Sequence, residues 1–102
     1  MKKIFFLFNK TNDETDILDG IRSTLGQSVA NNYAFAAILN HELQPFDEYN
    51  TENIDWIRDM EGEVYTDVQA NVDNNGLTSI TLEELGKKLL EMDVVCPYGV
   101  ED

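Results

Sequence analysis

The chain has 102 residues, 42% of them apolar, and 20 Asp plus Glu against 7 Lys plus Arg, for a formal net charge of −13. That length and apolar content suit a single domain over the whole chain, with one real core and no need of staples. One cysteine excludes an internal disulfide framework, and the charge excludes direct binding to nucleic acid or an anionic membrane, because both repel it.

Lys2 and Lys3 precede the apolar run Ile4-Phe5-Phe6-Leu7-Phe8. The run falls short of the about 7 to 15 residues of a signal-peptide core, and polar residues follow at once. It reads instead as a strand over 3–8, buried on both faces. No stretch approaches the roughly 20 apolar residues of a membrane span, so a cytoplasmic location is expected. Asn9-Lys10-Thr11 matches a glycosylation sequon, which has no meaning without secretion.

Thr11 or Asn12 can cap a first helix, with Asp13, Glu14 and Asp16 near its positive end. Ile17, Ile21 and Leu25 recur at spacings of four and Gly26 is a natural stop, which predicts a helix over about 13–25. Ser28 can cap a second helix, in which Val29, Tyr33, Ala36, Ala37 and Asn40 share one face and Phe35, Ile38 and Leu39 widen the apolar surface. It is expected to end before Pro45. Thr51 caps a short third helix reaching Met60, with Ile54 and Ile57 inward, Trp56 nearby and Gly62 as the breaker.

Residues 63–81 fit two periods at once, because Val64, Val68 and Val72 are four apart while the intervening residues also alternate. Their Val, Tyr and Thr content favours strand over helix. Asn75-Gly76 is a strong hairpin signal, so a hairpin is expected, with strands near 63–72 and 77–81. Thr81-Leu82-Glu83-Glu84 is a capping box for a last helix lined by Leu85, Leu89 and Met92. Val94-Val95-Cys96 can add a short edge strand, ended by Pro97 and Gly99, with Glu101-Asp102 as a frayed end. The first strand needs a neighbour for its backbone groups, and the hairpin can supply one. The predicted fold class is α+β, a small mixed or antiparallel sheet (N-terminal strand plus the hairpin near 63–81) packed with about four helices.

Charge is unevenly spread. Residues 1–40 hold four acids and four bases, whereas residues 41–102 hold 16 acids and 3 bases and carry the entire −13. Residues 47–73 contain nine acids against the single base Arg58. In the third helix Glu52, Asp55 and Asp59 lie three and four apart, so they share a face with neighbours about 5–6 Å apart and repel by a few tenths of a kcal/mol each. That spacing is close to the phosphate spacing of a nucleic-acid strand. Such a row can enter a basic groove meant for DNA or RNA. The plainer reading is a solvated face that keeps the protein soluble.

Catalytic patterns are missing. His41 and Cys96 are remote in sequence and neither has a local activating context. There is no phosphate-binding glycine loop. Residues 73–84 match an EF-hand loop at Asp73, Asn75 and Glu84 but have Leu77 and Thr78 where a ligand and the turn glycine belong. No enzyme activity, metal or cofactor is implied.

In size and charge the chain resembles small acidic inhibitors of phages and mobile elements, the antirestriction and anti-CRISPR proteins, some of which imitate nucleic acid. It also resembles immunity proteins that neutralise nuclease toxins. The resemblance implies a non-enzymatic inhibitor that binds a basic nuclease or other nucleic-acid-handling protein, one route being mimicry of a nucleic-acid strand. Asp47, Glu48, Glu52, Asp55, Trp56, Asp59, Glu61, Glu63 and Asp67 are the expected partner-binding residues. An immunity protein or antitoxin is the alternative within the same physics. A small ligand-binding domain or enzyme with no visible site is the alternative outside it.

Overall fold

The structure, a computed structural model, describes residues 2–9 and 13–97. Strand β1 (Lys3–Phe8) leads to helix α1 (Glu14–Val29), then β2 (Tyr33–Ile38), α2 (Glu48–Asp59), β3 (Glu63–Thr66), α3 (Gln69–Asn75), β4 (Thr78–Ser79), α4 (Leu82–Leu89) and β5 (Val94–Pro97). The strands form one sheet in the order β4-β3-β2-β1-β5, and every pairing is parallel. The fold is therefore α/β, which corrects the expected α+β class and its mixed or antiparallel sheet.

β1 is the strand predicted from its unbroken apolar run, and it lies between β2 and β5. Ile4, Phe6 and Phe8 face a core built with Ile17 and Ile21 of α1 and Ile54 and Ile57 of α2. Phe5 faces the other side, with Tyr65 of β3 and Leu85 of α4. On that side the Phe5 ring lies 6.1 Å from both Phe35 and Tyr65. Ala37, on the intervening strand, is small enough to leave room for the Phe5–Tyr65 pair. Lys88 of α4 covers Tyr65, its Nζ 5.4 Å from the ring centroid. The sheet steps in one direction from β1 to β4 with α1 and α2 on one face. It then returns from β4 to β5 with α4 on the other, where right-handed crossovers place a returning connection.

Two predicted elements are replaced. The predicted second helix is instead the end of α1 and the whole of β2. Ser28 lies inside α1, its hydroxyl donating to the Thr24 carbonyl at 3.4 Å, and the helix runs through Gly26 to Val29. Residues 33–38 read as helix because Tyr33, Ala36 and Ala37 fall on one helical face and Phe35 and Ile38 widen it. In the sheet they are covered on both faces, which erases the alternation that would mark a strand. The hairpin near 63–81 is also absent. β3 stops at Thr66, residues 69–75 are helical, and β4 pairs parallel to β3. Gly76 caps α3 in the left-handed region at φ 68, with Leu77 N–H reaching the Asn71 carbonyl at 3.4 Å. A hairpin turn and a helix C-cap both require positive φ, and both select Asn-Gly for it.

Caps moved by a few residues. Asp13 caps α1, accepting from Asp16 N–H at 2.8 Å. Thr11, which is also the sequon threonine, Asn12 and the ends expected at Gly99, Glu101 and Asp102 lie outside the described residues. α2 begins earlier than expected and is capped by Asp47, not Thr51. The expected edge strand is β5, paired with β1.

The capping box at Thr81 forms as predicted. Thr81 Oγ1 accepts from Glu84 N–H at 3.1 Å, and Glu84 Oε1 accepts from Thr81 N–H at 2.9 Å. The bond from the Thr81 backbone N–H foremost, and then hydrogen bonding with the Thr81 side chain, hold the Glu84 carboxyl below the ordinary glutamate pKa, with Lys88 and Lys87 adding to the effect. A carboxyl whose pKa is lowered by folding contributes stability above its unfolded pKa and loses it as pH falls through the lowered folded value. Thr81 N–H is therefore expected to follow an acid transition in a pH series of NMR spectra, with a midpoint below that of glutamate in an unstructured peptide. Glu84→Gln is expected to remove the transition. A midpoint at or above the peptide value contradicts the assignment.

Candidate functional site

α2 positions most of the predicted residues. Ile54 and Ile57 bury one side of it in the core, with Asn50 and Asn53 beside them. The opposite side then has to face solvent. Glu48, Glu52, Asp55 and Asp59 are exposed, and spacings of four, three and four place them within a narrow arc of the helix. The row runs along about 17 Å of helix axis at 1.5 Å per residue. Adjacent carboxylates are closer than the Debye length of about 8 Å at physiological salt, so an approaching cation meets them as one field.

Arg58 is the one base of this stretch, and it does not neutralise the row. Its Nε donates to Glu63 Oε1 and its guanidinium to the Gly76 carbonyl, both at 2.6 Å. Both partners lie toward β3 and the end of α3. Glu63 is therefore half-buried in an ion pair and is not part of the row. Asp67 is not part of it either, since it sits past the end of β3, where its exposed carboxylate accepts from Asn40 N–H at 2.8 Å. Asp47 is at the head of the row but is engaged as the cap of α2. Glu61 follows the row at the far end of the helix. It holds φ 68 in a closing turn in which Gly62 N–H donates to the Ile57 carbonyl at 2.9 Å. Glycine takes that conformation at lower cost, by roughly 1 kcal/mol.

Trp56, read from sequence as near the core, is 55% exposed, and Tyr49 is 54% exposed. They are seven residues apart, two turns of α2, and border the acidic row on the side that meets α1. There Leu25 of α1 and Tyr49, Glu52, Asn53 and Trp56 of α2 line one cleft. Tyr49 also borders a second cleft, with Leu18, Asp19 and Arg22 of α1. Arg22 is paired with Asp19 three residues earlier. Trp56 is among the partner-binding residues expected from sequence, whereas the place of Leu25 and Asn53 beside it depends on how α1 meets α2.

The loop between β2 and α2 decides where the row begins. Its backbone groups are satisfied by side chains from other elements, as buried backbone requires. Asn71 accepts from Leu43 N–H at 2.8 Å and donates to the His41 carbonyl at 2.7 Å. Asn75 accepts from Phe46 N–H at 2.8 Å, and Glu14 of α1 accepts from Gln44 N–H at 3.1 Å. His41 Nε2 is 4.0 Å from the same Glu14 oxygen. Cys96 is in mid-strand on β5, with β1 between it and β2, which leads into the His41 loop. Neither His41 nor Cys96 lines the two clefts between α1 and α2 or the cleft between β4 and α4. Residues 73–84 run from α3 through β4 into α4 and do not form a single loop. Among the described residues, no group of three or more His, Cys, Asp or Glu could hold a metal ion, and no helix is long and apolar enough to cross a membrane.

Compared with known proteins, the chain matches no family model and no curated protein.

Proposed function

We propose that this protein is a small, non-enzymatic acidic inhibitor that uses the outer face of α2 to bind a basic nucleic-acid-handling protein in the cytoplasm, in the manner of an anti-CRISPR or antirestriction protein. The observation that carries the reading is the row Glu48, Glu52, Asp55 and Asp59, exposed along one side of α2 while Arg58 is turned away to Glu63. A surface kept only for solubility mixes its signs. Here the single local base is spent elsewhere and the like-charge repulsion is left standing. Such a row steers a basic partner and sets register on it, with strong salt dependence. Mimicry of a nucleic-acid strand is one way to use it. An immunity protein would use the same face against a nuclease toxin.

The test is affinity capture from the native host at low and high salt, with wild type and with the combined Glu52→Lys, Asp55→Lys and Asp59→Lys variant. A basic nuclease or other nucleic-acid-binding protein should be retained by wild type at low salt and released at high salt. The triple reversal should weaken its binding by about tenfold or more. Equal capture by the variant removes the acidic face from the function.

The parallel sheet supports a second reading, a small-ligand domain. Such sheets bind ligands beyond the carboxyl ends of strands where the strand order reverses, here past Phe8 and Pro97 at the ends of β1 and β5. A salt-insensitive thermal shift with a metabolite library, in a protein that captures no basic partner, would favour it.

A further inference from the structure

The cleft between α1 and α2 contains a buried donor that the acidic row does not account for. Asn53 is 7% exposed, and its side-chain Nδ2 is sealed from water without a hydrogen-bond partner. Nearly all buried polar side-chain atoms have one. The cleft that Asn53 lines, with Leu25, Tyr49, Glu52 and Trp56, has a volume of ≈ 210 Å³. Small-molecule sites occupy about 300–1,000 Å³, so this cleft suits one side chain rather than a free ligand.

We propose that the cleft receives an arginine side chain of the basic partner, with a backbone carbonyl of the same segment accepting from Asn53 Nδ2. The proposal rests on the reading of α2 as a face for a basic protein, and it names the anchor on that face. A planar, weakly hydrated guanidinium stacks on aromatic rings, tryptophan best, while a lysine ammonium is a strongly hydrated point charge. Trp56 and Tyr49 supply the rings, and Glu52 supplies a carboxylate that can accept two parallel N–H bonds from the fork. Glu48 and Asp55 flank Glu52 on the same side of the helix, so the cleft opens inside a negative field. Arg22, the cation on the α1 side, is already paired with Asp19 and does not compete for Glu52. Because Asn53 Nδ2 is sealed from water, the arriving segment has to open the cleft locally to reach it. A rim aromatic beside a sealed donor is how a central anchor is held within an energetically quieter surround.

The probes are three blocked peptides, acetyl-Gly-Arg-Gly-amide and its lysine and glutamine counterparts, titrated at low salt. Readouts are the Trp56 indole N–H and Asn53 side-chain NH₂ signals by NMR, and fluorescence of Trp56, the chain's single tryptophan. The arginine peptide should move both signals to saturation and bind about fivefold more tightly than the lysine peptide. The glutamine peptide should leave them in place. Glu52→Gln and Trp56→Ala should each weaken the arginine peptide by about fivefold or more, and Trp56→Phe should restore part of it. Equal response to arginine and lysine, or shifts spread along the acidic row that spare Asn53, would overturn the proposal. Capture of the basic partner separates the two ideas. If Trp56→Ala leaves capture intact while the triple charge reversal abolishes it, the arginine cleft is overturned and the acidic face stands. If neither change affects capture, the acidic face itself fails and the cleft with it.

Discussion

Gly62→Ala is expected to destabilise the protein by at least about 3 kcal/mol. Gly62 joins the closing turn of α2 to β3. A Cβ there would lie 2.0 Å from the Ala34 carbonyl oxygen, 3.2 Å from its carbon and 2.9 Å from Cγ2 of Ile57. The nearest obstacle is backbone, and that backbone belongs to β2, where Ala34 is in register with Ile4 of β1. Relief would require moving β2 away from β3, or α2 away from the sheet. Ile57 is fully buried and cannot yield outward. Domains of this size are stable by only about 5–15 kcal/mol, so the variant should lose a large share of its stability. Urea unfolding with Trp56 fluorescence measures it. Gly26→Ala is the matched control, because a Cβ there meets nothing within 4 Å and alanine is favoured in a helix by roughly 0.8–1.0 kcal/mol. The two substitutions should move the midpoint in opposite directions. A Gly62→Ala protein within about 1 kcal/mol of wild type would mean that the close approach to Ala34 is not part of the native fold.

Asn71→Leu is expected to cost about 3 kcal/mol, because it leaves buried backbone groups without partners at about 1–3 kcal/mol each. Asn71 is fully buried. Its oxygen accepts from Leu43 N–H, and its nitrogen donates to the His41 carbonyl and, at 3.1 Å, to Thr66 Oγ1. Leucine has similar bulk and can make none of these bonds. The loss falls on the loop leading to Asp47, so α2 should lose its fixed starting point and partner capture should weaken with it. Hydrogen exchange at Leu43 N–H is the specific readout. It should accelerate far more than exchange at Phe6 or Ala36, in the centre of the sheet. Unchanged protection at Leu43 would show that the loop holds itself without Asn71.

Several features of this protein are written locally. The unbroken apolar run of β1, the capping box at Thr81, the amphipathic α2 and the charge imbalance of residues 41–102 each depend on near neighbours in the chain, and each is legible from the sequence. So is most of the acidic row, since helical spacing alone places Glu52, Asp55 and Asp59 together; Glu48 joins them only because Asp47, not Thr51, caps α2. Which of the predicted acids are free is not local. Glu63 is withdrawn by Arg58, and Asp67 by the backbone of Asn40, and both pairings depend on how β3 lies beside its neighbours.

Near neighbours in the chain set where apolar and charged residues cluster, the capping box at Thr81 and the positive φ at Gly76. Tertiary structure alone decided that Tyr33–Ile38 is a strand and that the strands run parallel. The physical reason is burial on both faces. A strand sandwiched between helix layers loses its alternation, and its apolar residues then fit a helical face as well. The same holds at Asn75-Gly76, where one backbone demand serves either a hairpin or a helix cap. Only the partners available across the sheet choose between them. The cleft beside Trp56 follows the same rule, for Leu25 and Asn53 become neighbours only once α1 and α2 pack on the same face of the sheet.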